Sequence, residues 1–213
     1  MPKVSEEHKN RRREQILEGA RRCFARHGYE GATVARLEEE TGLSRGAIFN
    51  YFPNKETIFL AIAQASSERL TEIWLNQGFR AMLDALVLED PDWLSVQLEA
   101  IRRLRTDRDF QRLVEEHERA GLAARGERLQ RLAEQGIRDD VPLEAIAIFL
   151  STVANGLALR LTAGDPLPDL DDIAELVERG VGGSAARKQR GEWKPTTPRT
   201  RRTKRSSRRS SAA

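Results

Sequence analysis

Arg45 and Asn50 carry the side chains best matched to the edges of base pairs. A guanidinium can bond guanine O6 and N7 together, and a primary amide can bond adenine N6 and N7. In Arg45-Gly46-Ala47-Ile48-Phe49-Asn50, helical spacing puts Arg45, Gly46, Phe49 and Asn50 on one arc. Ile48 falls off that arc, free to anchor the helix to a core. Gly46 and Ala47 are small enough to let a helix backbone come close to a duplex. Lys55 stands in the first turn of the following helix, where it can meet a phosphate that the helix N-terminus also favours. Arg11, Arg12 and Arg13 open an earlier helix, an end whose dipole disfavours cations. Phosphate contact accounts for them better than a solvated face paired with Glu14 and Glu18.

These residues need elements to present them. Thr33 suits the N-cap of a short helix over 34–41, Gly42 the turn after it, and Ser44 the cap of a second helix over 45–51. Pro53 breaks that helix. Helix, glycine turn and second helix stand in helix-turn-helix proportion, the first bracing the second so that it projects into a major groove. Upstream, Ile16, Ala20, Cys23, Phe24 and His27 make one stripe of a helix over 11–27, stopped by Gly28. Downstream, Asn54 caps a long helix to about residue 74, with Ile58, Phe59, Ile62, Ala65 and Leu70 as its stripe.

The spacing predicts further helices over 79–88, from Pro91 through Leu104, over 107–135 as one or two, over 142–161, and after Asp169. Strand-like alternation is almost absent, so the fold class is all-α. Gly121 and Gly126 weaken the 107–135 segment. The apolar stripe Ile146, Phe149, Leu150, Val153 and Leu157, with Ile173 to Val177, is expected to bury surface against a second copy.

The net charge of +3 hides a partition. Residues 1–57 hold 11 basic and 9 acidic side chains, a net +2. Residues 58–186 hold 14 and 23, a net −9, and residues 187–213 hold 11 and 1, a net +10. The three segments read as a DNA-binding head, a helical ligand-binding and dimerisation body, and a basic tail. The tail's Ser, Thr, Pro and Arg cannot bury enough surface to order it, and its charge suits non-specific attraction to DNA.

Several classes fall away. A single cysteine, Cys23, excludes a disulfide framework and a multi-Cys zinc site. No purely apolar run is longer than that of 145–150, far short of the roughly 18 residues that span a bilayer, and residues 1–13 hold no apolar signal core. No membrane association is expected, and the compartment is expected to be cytoplasmic. No P-loop, HExxH, dinucleotide glycine loop or Ser/His/Asp order is present, so no enzyme and no required cofactor are expected. The alternative function is an architectural nucleic-acid binder acting through its tail.

The segment TVARLEEETGLSRGAIFNYFPNKETIF resembles the DNA-binding region of the TetR family of bacterial repressors. The resemblance covers residues 16–62. It implies a nucleoid-associated homodimer with a three-helix DNA-binding domain, a helical ligand-binding and dimerisation domain, a palindromic operator and a small-molecule effector. It also implies contacts to DNA from Thr33, Ser44, Arg45, Gly46, Ala47, Phe49, Asn50, Tyr51 and Lys55. One departure matters: where the family usually has a phosphate-binding tyrosine, this chain has Phe49, leaving Tyr51 to supply that contact. ILEGARRCFARHGYEGATVARLEE, RGAIF, LRTD and DVP resemble the aconitase-repressor branch, which implies control of tricarboxylic-acid-cycle genes. That branch further implies citrate with Mg²⁺ as effector, held by Arg128, whose fork suits a carboxylate, and Glu178, facing the metal.

Other polar and aromatic positions have plainer readings. Cys23 is expected to pack in a core. His117, among Glu115, Glu116 and Glu118, has no second ligand at metal spacing and reads as a solvated face. Asn155 fits a ligand-pocket amide or a dimer-interface amide equally well. Arg160 suits an ion pair at the interface, and Trp74 and Trp93 are expected in the core.

Overall fold

Caps and turns divide the chain where the sequence places them. The computed structural model describes residues 6–134 and 136–182, so the basic tail lies outside the described residues. Among those residues the helices are α1 (Glu6–Gly31), α2 (Val34–Thr41), α3 (Arg45–Phe49), α4 (Lys55–Gln77), α5 (Phe79–Val87), α6 (Pro91–Thr106), α7 (Arg108–Glu134), α8 (Leu143–Ala163) and α9 (Leu170–Val181). No strand forms among the described residues. A single bridge pairs Ile137 with Gly182.

Local chemistry accounts for most boundaries. The Thr33, Ser44, Asn54, Asp90 and Asp169 side chains each accept a backbone N–H in the first turn of α2, α3, α4, α6 and α9. Asn54 and Thr57 form a reciprocal capping box. Gly28, at φ 70°, breaks α1 before a last turn to Gly31. α7 runs unbroken through Gly121 and Gly126, where no neighbour crowds either residue. Pro142 precedes α8 as its N-cap rather than opening its first turn, and α3 ends at Phe49, two residues earlier than its pattern suggests.

Two apolar cores form. The first joins Ile16, Ala20, Cys23 and Phe24 of α1, Leu37 of α2, Ile48 of α3 and Ile58, Phe59 and Ile62 of α4. Trp93, Val96 and Ala100 of α6 and Phe110 of α7 complete it. The change of charge at residue 57 therefore falls inside a continuous core. The second core joins α5, α8 and α9 with Leu94 of α6. Helix α6 serves both, turning Trp93, Val96 and Ala100 to the first and Leu94 to the second.

Some stripe residues are corrected. His27 and Ala65 are exposed; after the break at Gly28 it is Tyr29, fully buried, that enters the core at the end of α1. The apolar arc that α8 leaves uncovered is only in part the expected one, sharing Phe149 with it. Ile146, Leu150 and Leu157 are buried within the chain, whereas Ile148, Phe149 and Leu159 are exposed, as is Leu176 of α9. α8 is apolar around most of its circumference, so its own α5, α6 and α7 neighbours take one arc and leave the opposite arc bare. Measured over the whole helix rather than over uninterrupted apolar runs, α8 is long and apolar enough to cross a membrane. Its packing against the second core is the use this fold makes of it.

Candidate nucleic-acid interface

Helix α3 is held from behind and left open in front. Ile48 is fully buried, while Arg45, Gly46 and Asn50 are exposed. A Cβ added to Gly46 would meet nothing within 4 Å, so the outer face is free for close approach. The Ser44 hydroxyl accepts from the Ala47 N–H at 3.4 Å. The Glu38 carboxylate accepts from the Arg45 N–H at 2.6 Å. These two acceptors satisfy orphan donors of a helix too short to hold itself. The Arg45 guanidinium lies over the Phe49 ring, 6.0 Å from its centroid. Sharing that ring narrows the arc over which the arginine can search, which suits a directional contact.

Helix α2 braces α3 and is itself pinned to α1. Gly42, at φ 68°, ends α2 in a left-handed turn that donates to the Glu38 carbonyl. Gly19 permits close approach of α1 and α2: a Cβ there would stand 2.7 Å from the Thr41 Cα. The Gln15 amide donates to the Thr41 carbonyl at 2.9 Å.

The remaining expected contact residues divide. Thr33 is exposed at the α2 N-terminus, Phe49 and Ala47 are half-buried, and Tyr51 is half-buried against the first core. Lys55 points inward. Its Nζ donates to the Tyr29 carbonyl at 2.9 Å and lies 4.5 Å from the Tyr29 ring centroid. That ammonium is engaged in joining α4 to α1, which removes it from the exposed face in this conformation. Of the opening arginines, Arg12 donates to Gln15, Arg11 pairs with Glu7, and Arg13 lies over Phe52 at 5.1 Å.

The body encloses a cavity of about 440 Å³, with apolar walls from Leu70, Trp74, Phe79, Leu94, Ile146 and Leu150. Arg128 and Asn155 line it, together with Gln97 and Glu89. Arg128 donates to Glu68 at 2.9 Å. Asn155 is also exposed rather than buried, at the border between the cavity wall and the bare arc of α8. Glu178 is half-buried on α9 and does not line the cavity. Among the described residues no group of three or more His, Cys, Asp or Glu side chains comes together to hold a metal.

Residues 16–62 match the bacterial regulatory proteins of the tetR family, and residues 72–185 match the BetI-type transcriptional repressor C-terminal domain. The HTH-type transcriptional repressor AcnR of Corynebacterium diphtheriae is 47% identical over 184 residues, covering 85% of this chain and 97% of the relative. AcnR of Corynebacterium glutamicum is 46% identical over 173 residues, covering 79% and 92%. The chain belongs to the TetR family. It is a DNA-binding transcriptional repressor of TetR type. Solved structures share the TetR fold at low identity. A putative TetR-family regulator from a Rhodococcus species has TM-score 0.58 and 16% identity, covering 79% of this chain and 95% of that one. Salmonella enterica GusR has TM-score 0.55 and 19% identity, covering 84% and 98%.

In this TetR-family chain Trp93 is fully buried in the core, as expected, while Trp74 lines the cavity. Cys23 is fully buried, and burial pushes its thiol up to about 11, which suits packing rather than redox sensing. His117 is half-buried rather than solvated, its Nε2 out of contact with water and unbonded. Arg160 donates to the Pro166 carbonyl within its own chain. Two acids escaped sequence reasoning. Glu38 is one of three consecutive glutamates that drew no reading from the sequence, yet it is the one that reaches the α3 backbone. Glu89 also drew no reading from the sequence, yet its side chain is buried between Arg21 and Arg69. Only the run Glu89-Asp90-Pro91 marked the place, and it does not separate a capping acid from a buried one.

Proposed function

We propose that the protein is a homodimeric, ligand-responsive repressor that reads a palindromic operator through Arg45 and Asn50 of α3. The observation that carries this is the asymmetry of α3. Its inner residue is fully buried, its first backbone donors are capped by Ser44 and Glu38, and its outer arc of Arg45, Gly46 and Asn50 is open. The bare arc of α8 with Leu176 of α9 fits a second copy, since a contiguous apolar patch favours association. Two copies would set their α3 helices in successive major grooves, roughly 34 Å apart. Such a protein works on the chromosome, in the cytoplasm, and its basic tail would add sequence-independent affinity.

The AcnR relatives support aconitase and neighbouring tricarboxylic-acid-cycle genes as targets. We infer a small carboxylate as effector, with citrate the leading candidate. Arg128 supports this because its fork stands on the cavity wall and can exchange Glu68 for a ligand carboxylate. Less supports the cation half of that expectation: Glu178 stands off the cavity lining, and Glu89, the acid that does line it, is paired with Arg21 and Arg69.

A genome-wide footprint of bound DNA tests the target. The expected outcome is an enriched palindrome beside an aconitase gene. Binding spread without a palindrome, and lost on deleting residues 187–213, would favour the architectural reading instead. Ile148→Arg tests the dimer face: sedimentation should show monomers that bind half-sites but not the palindrome.

A further inference from the structure

We propose that Glu89 is the residue through which the cavity controls the DNA-binding helices, and that the effector acts on it with a carboxylate. The proposal rests on the carboxylate effector inferred above. Glu89 is 7% exposed and lines the cavity. One of its oxygens pairs with Arg21 of α1, and the other with Arg69 of α4. The Arg21 guanidinium also lies over the Trp93 ring, 5.7 Å from its centroid, and Trp93 is the α6 residue buried in the first core. A single carboxylate thus ties α1, α4 and the start of α6 together at the cavity wall.

A buried carboxylate stays ionised only while its partners stay, so Glu89 cannot easily release both arginines at once. The arginines, however, carry two positive charges against its one. Their side chains are 35% and 47% exposed on the far side of Glu89, so each can turn away from it. Neither arginine lines the cavity, so a ligand carboxylate placed there beside Glu89 acts by drawing one guanidinium inward past it while the other keeps Glu89 paired. The ligand then binds better to the state in which α1 is loosened, which is the differential affinity a population shift requires. Loosening α1 moves α2 and α3, because Gln15 and Gly19 pack α1 directly on Thr41. The carboxylate effector should therefore weaken operator binding.

A second bridge between the same two helices supplies the control. The Tyr29 N–H donates to Glu99 of α6 at 3.2 Å, but Glu99 does not line the cavity. Both bridges hold the head to the body, and only Glu89 faces the ligand space.

The test uses the full-length dimer and the palindrome recovered by footprinting, with a half-site duplex as comparison. Without ligand, Arg21→Gln and Glu89→Gln should each weaken palindrome binding about tenfold, within the usual range of coupling between sites. The double variant should be no weaker than Glu89→Gln, and half-site binding should not change. Additive losses, or half-site binding falling in parallel, would overturn the coupling. With citrate as probe, the wild type and Glu99→Gln should lose operator affinity while Glu89→Gln does not respond. Citrate acting equally on Glu89→Gln overturns the role of Glu89 and leaves the effector reading intact. Citrate without effect on the wild type removes the effector reading, and the ligand-free cycle still decides whether Glu89 couples the helices. If Glu89→Gln does not fold, Arg21→Lys at its half-exposed position keeps the charge without the fork. A reduced citrate response is then expected, and a full response overturns the proposal.

Discussion

The DNA-binding head and the body are both bundles of helices, yet they are packed to opposite ends. In the head, Ile16, Cys23, Phe24, Tyr29, Leu37, Ile48 and Ile58 are all fully buried, and Phe24, Tyr29, Phe59 and Trp93 stack or meet edge to face at 5.2–6.4 Å. The body keeps a cavity of about 440 Å³ and leaves Ile148, Phe149, Leu159 and Leu176 bare. Close packing transmits a displacement because there is no slack to absorb it. A cavity lets a wall move without breaking contacts first. α6 belongs to both regions, so the slack on one of its faces is met by rigidity on the other, and a ligand-sized change can reach the recognition helix.

The largest expected effect sets one region against the other. Trp93→Ala in the head core should cost about 3–5 kcal/mol of stability, whereas Leu150→Ala on the cavity wall should fall near 2, at the low end for large-to-small changes. Denaturant unfolding of both variants measures this, and equal costs would end the contrast between a tight head and a slack body. Arg45→Ala should next cost about 1–3 kcal/mol of operator affinity and relax preference at one base position. Equal weakening on operator and random DNA would show instead that Arg45 contacts phosphate.

Caps should ignore the contrast, since they act within one turn. Ser44→Ala in the head and Asp169→Ala in the body should each cost about 1 kcal/mol, and a large difference between them would mean that one cap also holds a tertiary contact. Asp107 sits where α6 meets α7. Backbone N–H donation from Phe110, then the Arg103 guanidinium, holds its carboxyl below the ordinary range. A depressed pKa contributes stability that is present above the unfolded value, about 3.9, and is lost as pH falls through the folded value. Asp107→Asn should therefore flatten the acid limb of the unfolding midpoint and leave the neutral plateau otherwise pH-independent. The smallest effect is on Cys23. A thiol pushed up to about 11 by burial should resist a thiol reagent at pH 8 until denaturant opens the head, and rapid labelling of the native protein would show that the head core is not closed.

The head was legible because its signals are local. Thr33, Gly42, Ser44, Pro53 and Asn54 each act on the backbone within a turn of themselves, so their types alone placed α2, α3 and the start of α4. The exposed arc of Arg45, Gly46 and Asn50 followed from helical periodicity and one buried isoleucine. The placement of the Lys55 ammonium was not legible, for the opposite reason. Its long side chain chose between a phosphate outside and the Tyr29 carbonyl inside, and nothing within a turn of it records that carbonyl's position. Tyr29 enters the core because one positive φ at Gly28 redirects the residues after it. The body was legible in its helices and not in its faces. α8 is apolar nearly all round, so its spacing cannot say which arc meets α5 and α6 and which is left bare.

By itself the sequence determined the helix-turn-helix, the all-helical body and the separation of charge along the chain, since capping, periodicity and composition are properties of neighbours in sequence. Only the tertiary structure decided what each charge is for. Glu38 reaches the backbone of the recognition helix, and Glu89 sits buried between arginines contributed by α1 and α4. The energy of a carboxylate depends on what surrounds it in space, and its partners there are up to 68 residues away along the chain.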